Sequence, residues 1–230
     1  RIYLIKDMLE GGKPATPEVV KHIDRCLSCL SCMTTCPSGV HYMHLVDHAR
    51  AHIESTYQRP LHQRLLRSLL AQILPYRARF RVALAAAFLV RPLRSIFGAL
   101  PYVGASLRSM LSLAPANFPA KPIPAAAPVL AHKAGKRVVI LEGCAQPVLR
   151  PSINEAARRL LARHGIEVVN VPGEGCCGAL VHHMGREGDA LTFARANVDV
   201  WSAELDRGLD AILVTTSGCG TTIKDYGFMP

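Results

Sequence analysis

Apolar residues in the first half of the chain recur at the three- to four-residue spacing of amphipathic helices. Thr16 is a candidate N-cap and Pro17 suits the first helical position, so we expect a short helix to begin there. The predicted helical stretches are a first from 17, then 40–54, 60–74 and 77–113, the last broken at Pro92, Gly98 and Pro101. This half is therefore predicted to be helical.

Beyond residue 136 the pattern changes to short apolar runs that alternate with helical stretches. Ser152, with Glu155 three residues later, predicts a capping box at the start of one helix, and a longer helix is expected from about Gly188 to Arg207. The predicted strands are 137–141, 167–171 and 211–215. Strands separated by helices predict a parallel sheet.

A proline-rich segment separates the two halves. Five prolines lie among alanines between Pro115 and Pro128, a composition typical of linkers. The fold class is predicted to be α plus α/β. The predicted domains are a cysteine-containing helical region at 1–58, a basic helical segment at 59–114, a linker at 115–135 and an α/β domain at 136–230.

The chain has 230 residues, 50% of them hydrophobic, which excludes general disorder, and its net charge is +10. No acidic residue lies between Glu54 and Glu142, whereas 13 Lys and Arg residues do. This window favours anionic partners, although a solvated helix face is the simpler alternative. Because its apolar residues are Leu, Ala and Phe without stacked aromatics, anionic lipid is favoured over nucleic acid. The longest apolar run, 82–90, is too short to span a bilayer.

Four cysteines lie in the run Cys26-Leu-Ser-Cys29-Leu-Ser-Cys32-Met-Thr-Thr-Cys36-Pro37. This is the C-x2-C-x2-C-x3-C-P spacing of bacterial ferredoxins. Spacings of three let thiolates converge on one pocket while backbone N–H groups turn toward the sulfurs. Structural zinc usually takes two separated Cys or His pairs instead. The run therefore predicts a 4Fe-4S cluster that carries single electrons.

The fourth cysteine of the run leaves two ligand arrangements open. In two-cluster ferredoxins the first three cysteines bind one cluster and the fourth binds the other. Cys36 would then serve a cluster whose other ligands lie upstream of Arg1. Alternatively, all four cysteines hold a single cluster, an arrangement we rank second.

Four further cysteines follow the predicted strands: Cys144 after the first, Cys176 and Cys177 after the second, and Cys219 after the third. The carboxyl ends of parallel strands meet at one edge of the sheet, so these cysteines are expected to converge in loops there. Flanking glycines allow tight turns. We predict a metal site, with zinc or an iron–sulfur centre as its occupant. Burial as small apolar residues is the alternative.

Other chemistry has little support in the sequence. His182 and His183 follow the second of these loops; a structural hydrogen-bond donor is the favoured interpretation of each, and an added ligand or a proton carrier is the alternative. A further helix is expected to begin at 224–226. No glycine-rich nucleotide motif or Ser-His-Asp arrangement is found, so no catalytic residue is predicted.

The two cysteine sets resemble those of the iron–sulfur subunits of glycolate oxidase (glycolate dehydrogenase), within the wider group of proteins that carry a cysteine-rich CCG domain. The resemblance covers nearly all 230 residues. Its most specific segments are RIYLIKDMLEGG, CLSCLSCMTTCPSGVHYMHLVDHAR, LEGCAQP, GEGCCGALVHH and TTSGCGTTIKDYG. The resemblance implies a helical ferredoxin-like iron–sulfur region followed by a small parallel α/β CCG domain.

The resemblance also implies an electron-transfer subunit with no substrate chemistry of its own. Such a subunit passes electrons from a flavoprotein (FAD) subunit, where glycolate becomes glyoxylate, toward a quinone or another acceptor. It would be cytoplasmic, with peripheral attachment to the inner face of the plasma membrane. Related subunits serve lactate, glycerol 3-phosphate or heterodisulfide oxidoreductases, which leaves the electron donor open. A metal-stabilised nucleic-acid-binding module is the alternative from another class.

The chain departs from the family pattern in two ways. Family members have two ferredoxin-type runs, hence two 4Fe-4S clusters, and two CCG repeats. The upstream run and the second repeat are absent here, as expected of a fragment cut at both ends. In addition, Thr222 stands where the pattern after Cys219 would place the last cysteine of the CCG repeat.

Overall fold

The chain folds into a helical half followed by a small parallel α/β half. The computed structural model describes residues 1–101, 103–114 and 135–229, so the predicted linker 115–135 lies, except for residue 135, outside the described residues. In the first half the helices are α1 (Ile2–Glu10), α2 (Pro17–Asp24), α3 (Ser31–Thr34), α4 (Tyr42–Thr56), α5 (Leu61–Ile73), α6 (Arg77–Val90), α7 (Arg94–Gly98) and α8 (Gly104–Leu113).

The second half alternates strands and helices as predicted. Its elements are β1 (Arg137–Ile140), α9 (Gln146–Leu149), α10 (Ser152–Arg163), β2 (Glu167–Val169), α11 (Ala179–His183), α12 (Glu187–Leu205), β3 (Ala211–Leu213) and α13 (Ser217–Lys224). The strands form a parallel sheet in the order β2-β1-β3. The expectation of a helical region followed by a small parallel α/β region is therefore confirmed.

The predicted start of α2 is also confirmed. The Thr16 side chain accepts a hydrogen bond from the Val19 N–H at 3.3 Å, and Pro17 occupies the first turn. The apolar face of α2 packs with α1 and α4. The resulting core consists of Ile5, Met8, Ala15, Val19, Val20, Ile23, Tyr42, Val46, Ala49 and Ile53.

The central strand β1 is the most buried part of the sheet. Val138, Val139 and Ile140 are each at most 4% exposed, and neighbouring strands pair with both edges of β1. Val138 lies opposite Val168 on one side and Ala211 on the other. This register aligns the carboxyl ends of the strands, where the second cysteine set begins.

Two local predictions in the α/β half are wrong. Pro151, with helical backbone angles, occupies the N-cap of α10, and no side chain caps this helix, so Ser152 and Glu155 form no capping box. The last helix begins at Ser217, well before the predicted start at 224–226.

The helices of the basic segment are only partly buried. In α5, Ala71 is buried, whereas Leu61, Leu65 and Leu69 form an exposed row at 69%, 62% and 52%. The apolar stripe of this helix is therefore wider than the surface it packs against. Within the described residues, no helix has both the length and the apolar character to cross a bilayer.

Candidate functional site

The first cysteine run forms an irregular turn between α2 and α3. Cys26 lies just after α2, and Cys32 lies within α3. Between them, Ser28 and Leu30 adopt left-handed backbone conformations, with φ of 51° and 58°. Non-glycine residues seldom adopt positive φ, and such strain concentrates at binding sites.

Three thiols of this run border an open recess of about 750 Å³. Cys29 and Cys32 are exposed and Cys26 is partly buried. The other residues that line the recess are mainly apolar and include Ile2, Tyr3, Leu27, Leu30 and Tyr42. Soft thiolate donors around an apolar recess suit a sulfide-bridged iron cluster.

Backbone donors favour the thiolate form at two of these cysteines. Hydrogen bonds from the backbone and side chain of Ser31 lower the pKa of Cys29. Backbone N–H groups of Val40 and Ser38 lower the pKa of Cys36. Since the thiolate is the metal-binding form, both residues are prepared for ligation.

Tyr42, at the start of α4, also contacts this run. Its hydroxyl donates a hydrogen bond to Cys26 Sγ at 3.7 Å. Burial and the neighbouring Cys26 raise the pKa of Tyr42 to about 12, so the hydroxyl keeps its proton at physiological pH. Tyr42 can therefore serve as a permanent donor to a ligating sulfur.

The four cysteines of the α/β half converge as predicted, but not all of them lie in loops. Cys176 Sγ lies 3.5 Å from Cys144 Sγ, and Cys177 interacts with Cys219 through their thiols. Cys219 lies in the first turn of α13, because this helix begins directly after β3. The expectation of a loop at Cys219 is wrong.

The four thiols strongly influence one another. The hydrogen bond with Cys176, together with burial, raises the pKa of Cys144. Burial and Cys219 raise the pKa of Cys177 to about 12, against the effect of its hydrogen bond with Cys176. The bond from Cys177 lowers the pKa of Cys219. Cys219 is therefore the most acidic of this set and the first to present a thiolate.

Two polar residues that sequence reasoning missed hold the Cys176–Cys177 loop. Asn197, fully buried in α12, accepts a hydrogen bond from the Gly175 N–H and donates one to the Cys176 carbonyl, both at 2.9 Å. The Tyr226 hydroxyl donates to the Cys177 carbonyl at 2.9 Å. The signal for Asn197 was an amide between Ala194 and Trp201 at the spacing of one helix face.

Thr222 does not replace the missing cysteine as a donor to this site. It is 4% exposed, and its hydroxyl donates to the Gly218 carbonyl at 3.1 Å. This hydrogen bond closes a turn inside α13 and engages the hydroxyl proton.

His182 and His183 lie away from the thiols, against α4. Their rings face Asp47, at 3.3 Å from His182 Nε2 and 3.7 Å from His183 Nδ1. In the part of the chain that the structure describes, no three His, Cys, Asp or Glu side chains are spaced to hold a single metal ion.

Comparison with known proteins first identifies a domain class. Residues 138–224 match the cysteine-rich domain family CCG. This segment contains the parallel sheet and all four of the converging cysteines.

Comparison of the whole chain then points to one kind of subunit. The chain is 43% identical over 231 residues to the glycolate oxidase iron-sulfur subunit of Escherichia coli (strain K12), a match that covers 100% of this chain and 52% of that protein. The probable glycolate oxidase iron-sulfur subunit of Bacillus subtilis (strain 168) is 28% identical, with 98% and 52% covered. The predicted resemblance is confirmed.

A more distant match involves less of the chain. A fumarate reductase (CoM/CoB) polypeptide of Methanothermobacter marburgensis is 32% identical over 93 residues, 40% of this chain and 18% of that protein. The chain spans about half the length of the two glycolate oxidase subunits. No solved structure matches it at a significant level.

Proposed function

We propose that this chain is an electron-transfer iron–sulfur subunit of a glycolate oxidase (glycolate dehydrogenase) complex. The observation that carries the proposal is the ferredoxin spacing of Cys26 to Cys36 in a chain 43% identical, over its whole length, to such a subunit. Electrons would arrive from a flavoprotein (FAD) subunit that oxidises glycolate to glyoxylate and would leave toward a quinone or another acceptor.

In this proposal, the first cysteine run holds the relay. A 4Fe-4S cluster, when bound, supplies one-electron redox chemistry. Cys26, Cys29 and Cys32 surround the recess, and the backbone donors near Cys29 stabilise its thiolate. Cys36 is assigned to a second cluster, following the ligand sharing of two-cluster ferredoxins.

Metal analysis and spectroscopy test this proposal. Anaerobically reconstituted protein is expected to contain iron and acid-labile sulfide and to give the EPR signal of a reduced cluster at low temperature. Zinc in place of iron would contradict the proposal. Cys36→Ser should leave the cluster of Cys26, Cys29 and Cys32 intact, whereas Cys29→Ser should abolish it. Loss of that cluster in Cys36→Ser would favour a single four-cysteine site.

We further propose a separate iron–sulfur site in the α/β half, distinct from the clusters of the first cysteine run. Its ligands would be Cys144, Cys176, Cys177 and Cys219. The convergence of four thiols in a CCG segment supports it. Cys177→Ser is expected to remove this site's iron and leave the EPR signal of the first cluster unchanged. Full iron content in Cys177→Ser would contradict the assignment.

We also propose that the segment between Glu54 and Glu142, which contains no acidic residue, attaches the subunit to anionic membranes. The exposed row Leu61, Leu65 and Leu69 on α5 lies beside the exposed Arg64. Aliphatic side chains next to arginine suit the boundary between acyl chains and anionic headgroups. Nucleic acid is less suited, because the exposed apolar residues of this row are aliphatic and offer no aromatic rings for base stacking.

Vesicle sedimentation at low salt tests the membrane proposal. The protein should bind vesicles that contain phosphatidylserine and not vesicles of phosphatidylcholine alone. Replacing Leu61, Leu65 and Leu69 together by Ser should weaken binding at least about tenfold. Leu160→Ser is the control, since Leu160 is 56% exposed on α10. Equal weakening by the control, or no binding by the unaltered protein, would contradict the proposal.

A further inference from the structure

A buried arginine connects the first cysteine run to the α/β half, called the CCG half below because residues 138–224 match that family. Arg50 on α4 is only 6% exposed. Its Nη2 donates to the Cys26 carbonyl at 2.8 Å, and its Nη1 donates to Ser28 Oγ at 2.7 Å. Arg50 therefore holds both ends of the strained turn that begins the cysteine run.

Arg50 faces groups from both halves of the chain. Its Nη1 lies 3.4 Å from Asp47 Oδ1, on the same helix, and 3.3 Å from His183 Nδ1, on α11. Asp47 is in turn 3.3 Å from His182. The helix α11 begins two residues after Cys177, so the network joins the first cysteine run to the helix that follows the Cys176–Cys177 loop.

The packing around this network is close. Gly185, just after α11, lies against α4 so tightly that a Cβ atom there would come within 2.3 Å of the Arg50 carbonyl oxygen. Hydrogen bonds and charges from His182 and His183 outweigh burial and lower the pKa of Asp47, which therefore stays ionised. A fixed cation and a fixed anion thus sit behind the Cys26 turn, shielded from water.

We propose that Arg50 is a positioning residue that shapes the Cys26–Ser28 turn and raises the reduction potential of the cluster held there, and that Asp47 is the counter-charge that limits this effect. The inference rests on the proposed function. A reduced cluster carries one more negative charge than an oxidised one, so a nearby buried cation favours reduction and a nearby anion opposes it. The CCG half contributes through His182 and His183, which keep Asp47 in place.

Redox titration followed by EPR, with the full chain anaerobically reconstituted, tests this inference. Arg50→Gln should lower the equilibrium constant for reduction of the cluster about tenfold, a decrease of about 59 mV for a one-electron couple. Arg50→Lys keeps the charge and loses the fork of hydrogen bonds. The reduction potential of this variant should therefore lie between those of Arg50→Gln and the unaltered protein. Asp47→Asn should move the potential in the opposite direction, upward. Arg163→Gln, on the exposed end of α10, is the matched control and should change the constant less than about twofold.

The opposite signs distinguish an electrostatic role from a merely structural one, which would move both variants the same way. Equal shifts in Arg50→Gln and Asp47→Asn, or shifts no larger than that of Arg163→Gln, would overturn the inference. If Arg50→Gln fails to retain its cluster, Asp47→Asn and Arg50→Lys decide the question. Absence of any iron–sulfur signal in the unaltered protein would instead contradict the proposed function.

Discussion

The hydroxyl of Tyr42 links the first cysteine run to the buried face of α4. Its hydrogen bond to Cys26 Sγ withdraws charge from a sulfur proposed to ligate iron. Such bonds raise the reduction potential of iron–sulfur clusters. Tyr42→Phe should therefore lower the potential measured by EPR-monitored titration, with cluster content unchanged. Tyr76→Phe, a partly exposed tyrosine at the start of α6, is the control. An unchanged potential in Tyr42→Phe would contradict this role.

Glu174 is a partly buried carboxylate that precedes Cys176 by two residues, and its Oε2 atom is fully buried. Burial raises its pKa, and its Oε2 has no hydrogen-bond partner within the described residues, although Oε1 accepts from the Glu142 N–H at 3.0 Å. A raised folded-state pKa means that the ionised form costs stability. Stability should therefore be greatest below the unfolded-state pKa and should fall as pH rises through the folded-state pKa.

Glu174→Gln should remove this dependence and stabilise the protein at neutral pH by about 1 kcal/mol, because a neutral amide replaces a poorly paired buried charge. Urea unfolding at mildly acidic and neutral pH measures the effect. Glu10→Gln is the control, since Glu10 is 69% exposed. A variant that is less stable than the unaltered protein at neutral pH would show that the charge is favourably paired.

At the scale of helices and strands, the sequence predicted those features that depend mainly on neighbouring residues. Thr16 caps α2 because its neighbours leave it extended, at φ −80° and ψ 156°. Ser152 fails as a cap because the preceding Pro151 already has helical angles. The alternation of apolar runs located β1 correctly because three of its four residues, Val138, Val139 and Ile140, are buried and apolar in succession. Cys219 was misplaced because the glycines around it resemble a loop but begin a helix.

Gly185 should be the residue on which the contact between α11 and α4 depends. Its φ is +76°, and a Cβ atom would meet the Arg50 carbonyl oxygen at 2.3 Å. Gly185→Ala should therefore destabilise the protein by about 2 to 4 kcal/mol, through backbone strain and a backbone clash that no rotamer can relieve.

Substitutions at two further glycines separate the contribution of backbone strain from that of the clash. Gly208 has a φ of +83° with nothing within 4 Å, so Gly208→Ala should show the strain alone, about 1 to 2 kcal/mol. Gly188 lies in the first turn of α12 with open space around it, so Gly188→Ala should be neutral or slightly stabilising. Urea unfolding measures all three. A loss in Gly185→Ala no larger than that in Gly208→Ala would show that the helices move apart easily.

At the scale of the whole molecule, the two halves meet through arginines that the sequence analysis treated only as a charged surface. The Arg67 and Arg77 guanidinium groups donate to the carbonyls of Met184 and Gly143, both at 2.7 Å. Arg50 and His183 meet although they are 133 residues apart. The cysteines of each candidate site could be predicted because their spacing and strand positions are local signals. The groups around them could not, because no local pattern records which distant helix will supply a polar partner.

The first cysteine run and the central strand β1 differ in how well they are packed. This difference predicts how the molecule responds to loss of iron. No residue of α3 is buried, and Leu27 is 90% exposed. The turn that precedes α3 contains two residues at positive φ, Ser28 and Leu30. The segment 27–39 thus has little packing of its own, so a bound cluster would supply most of its order. β1 is held instead by two neighbouring strands and a buried apolar core.

Anaerobic removal of iron with a chelator should therefore raise amide hydrogen exchange across 27–39 at least about tenfold and leave 138–140 protected. Hydrogen exchange measured by mass spectrometry, with and without chelator, reports both segments in one sample. Cys29→Ser without chelator should reproduce the faster exchange, because this substitution removes a ligand without adding a reagent. Equal protection of 27–39 with and without iron would mean that the strained turn is held by Arg50 and Tyr42 alone. In that case the protein would present a preformed site to the cluster.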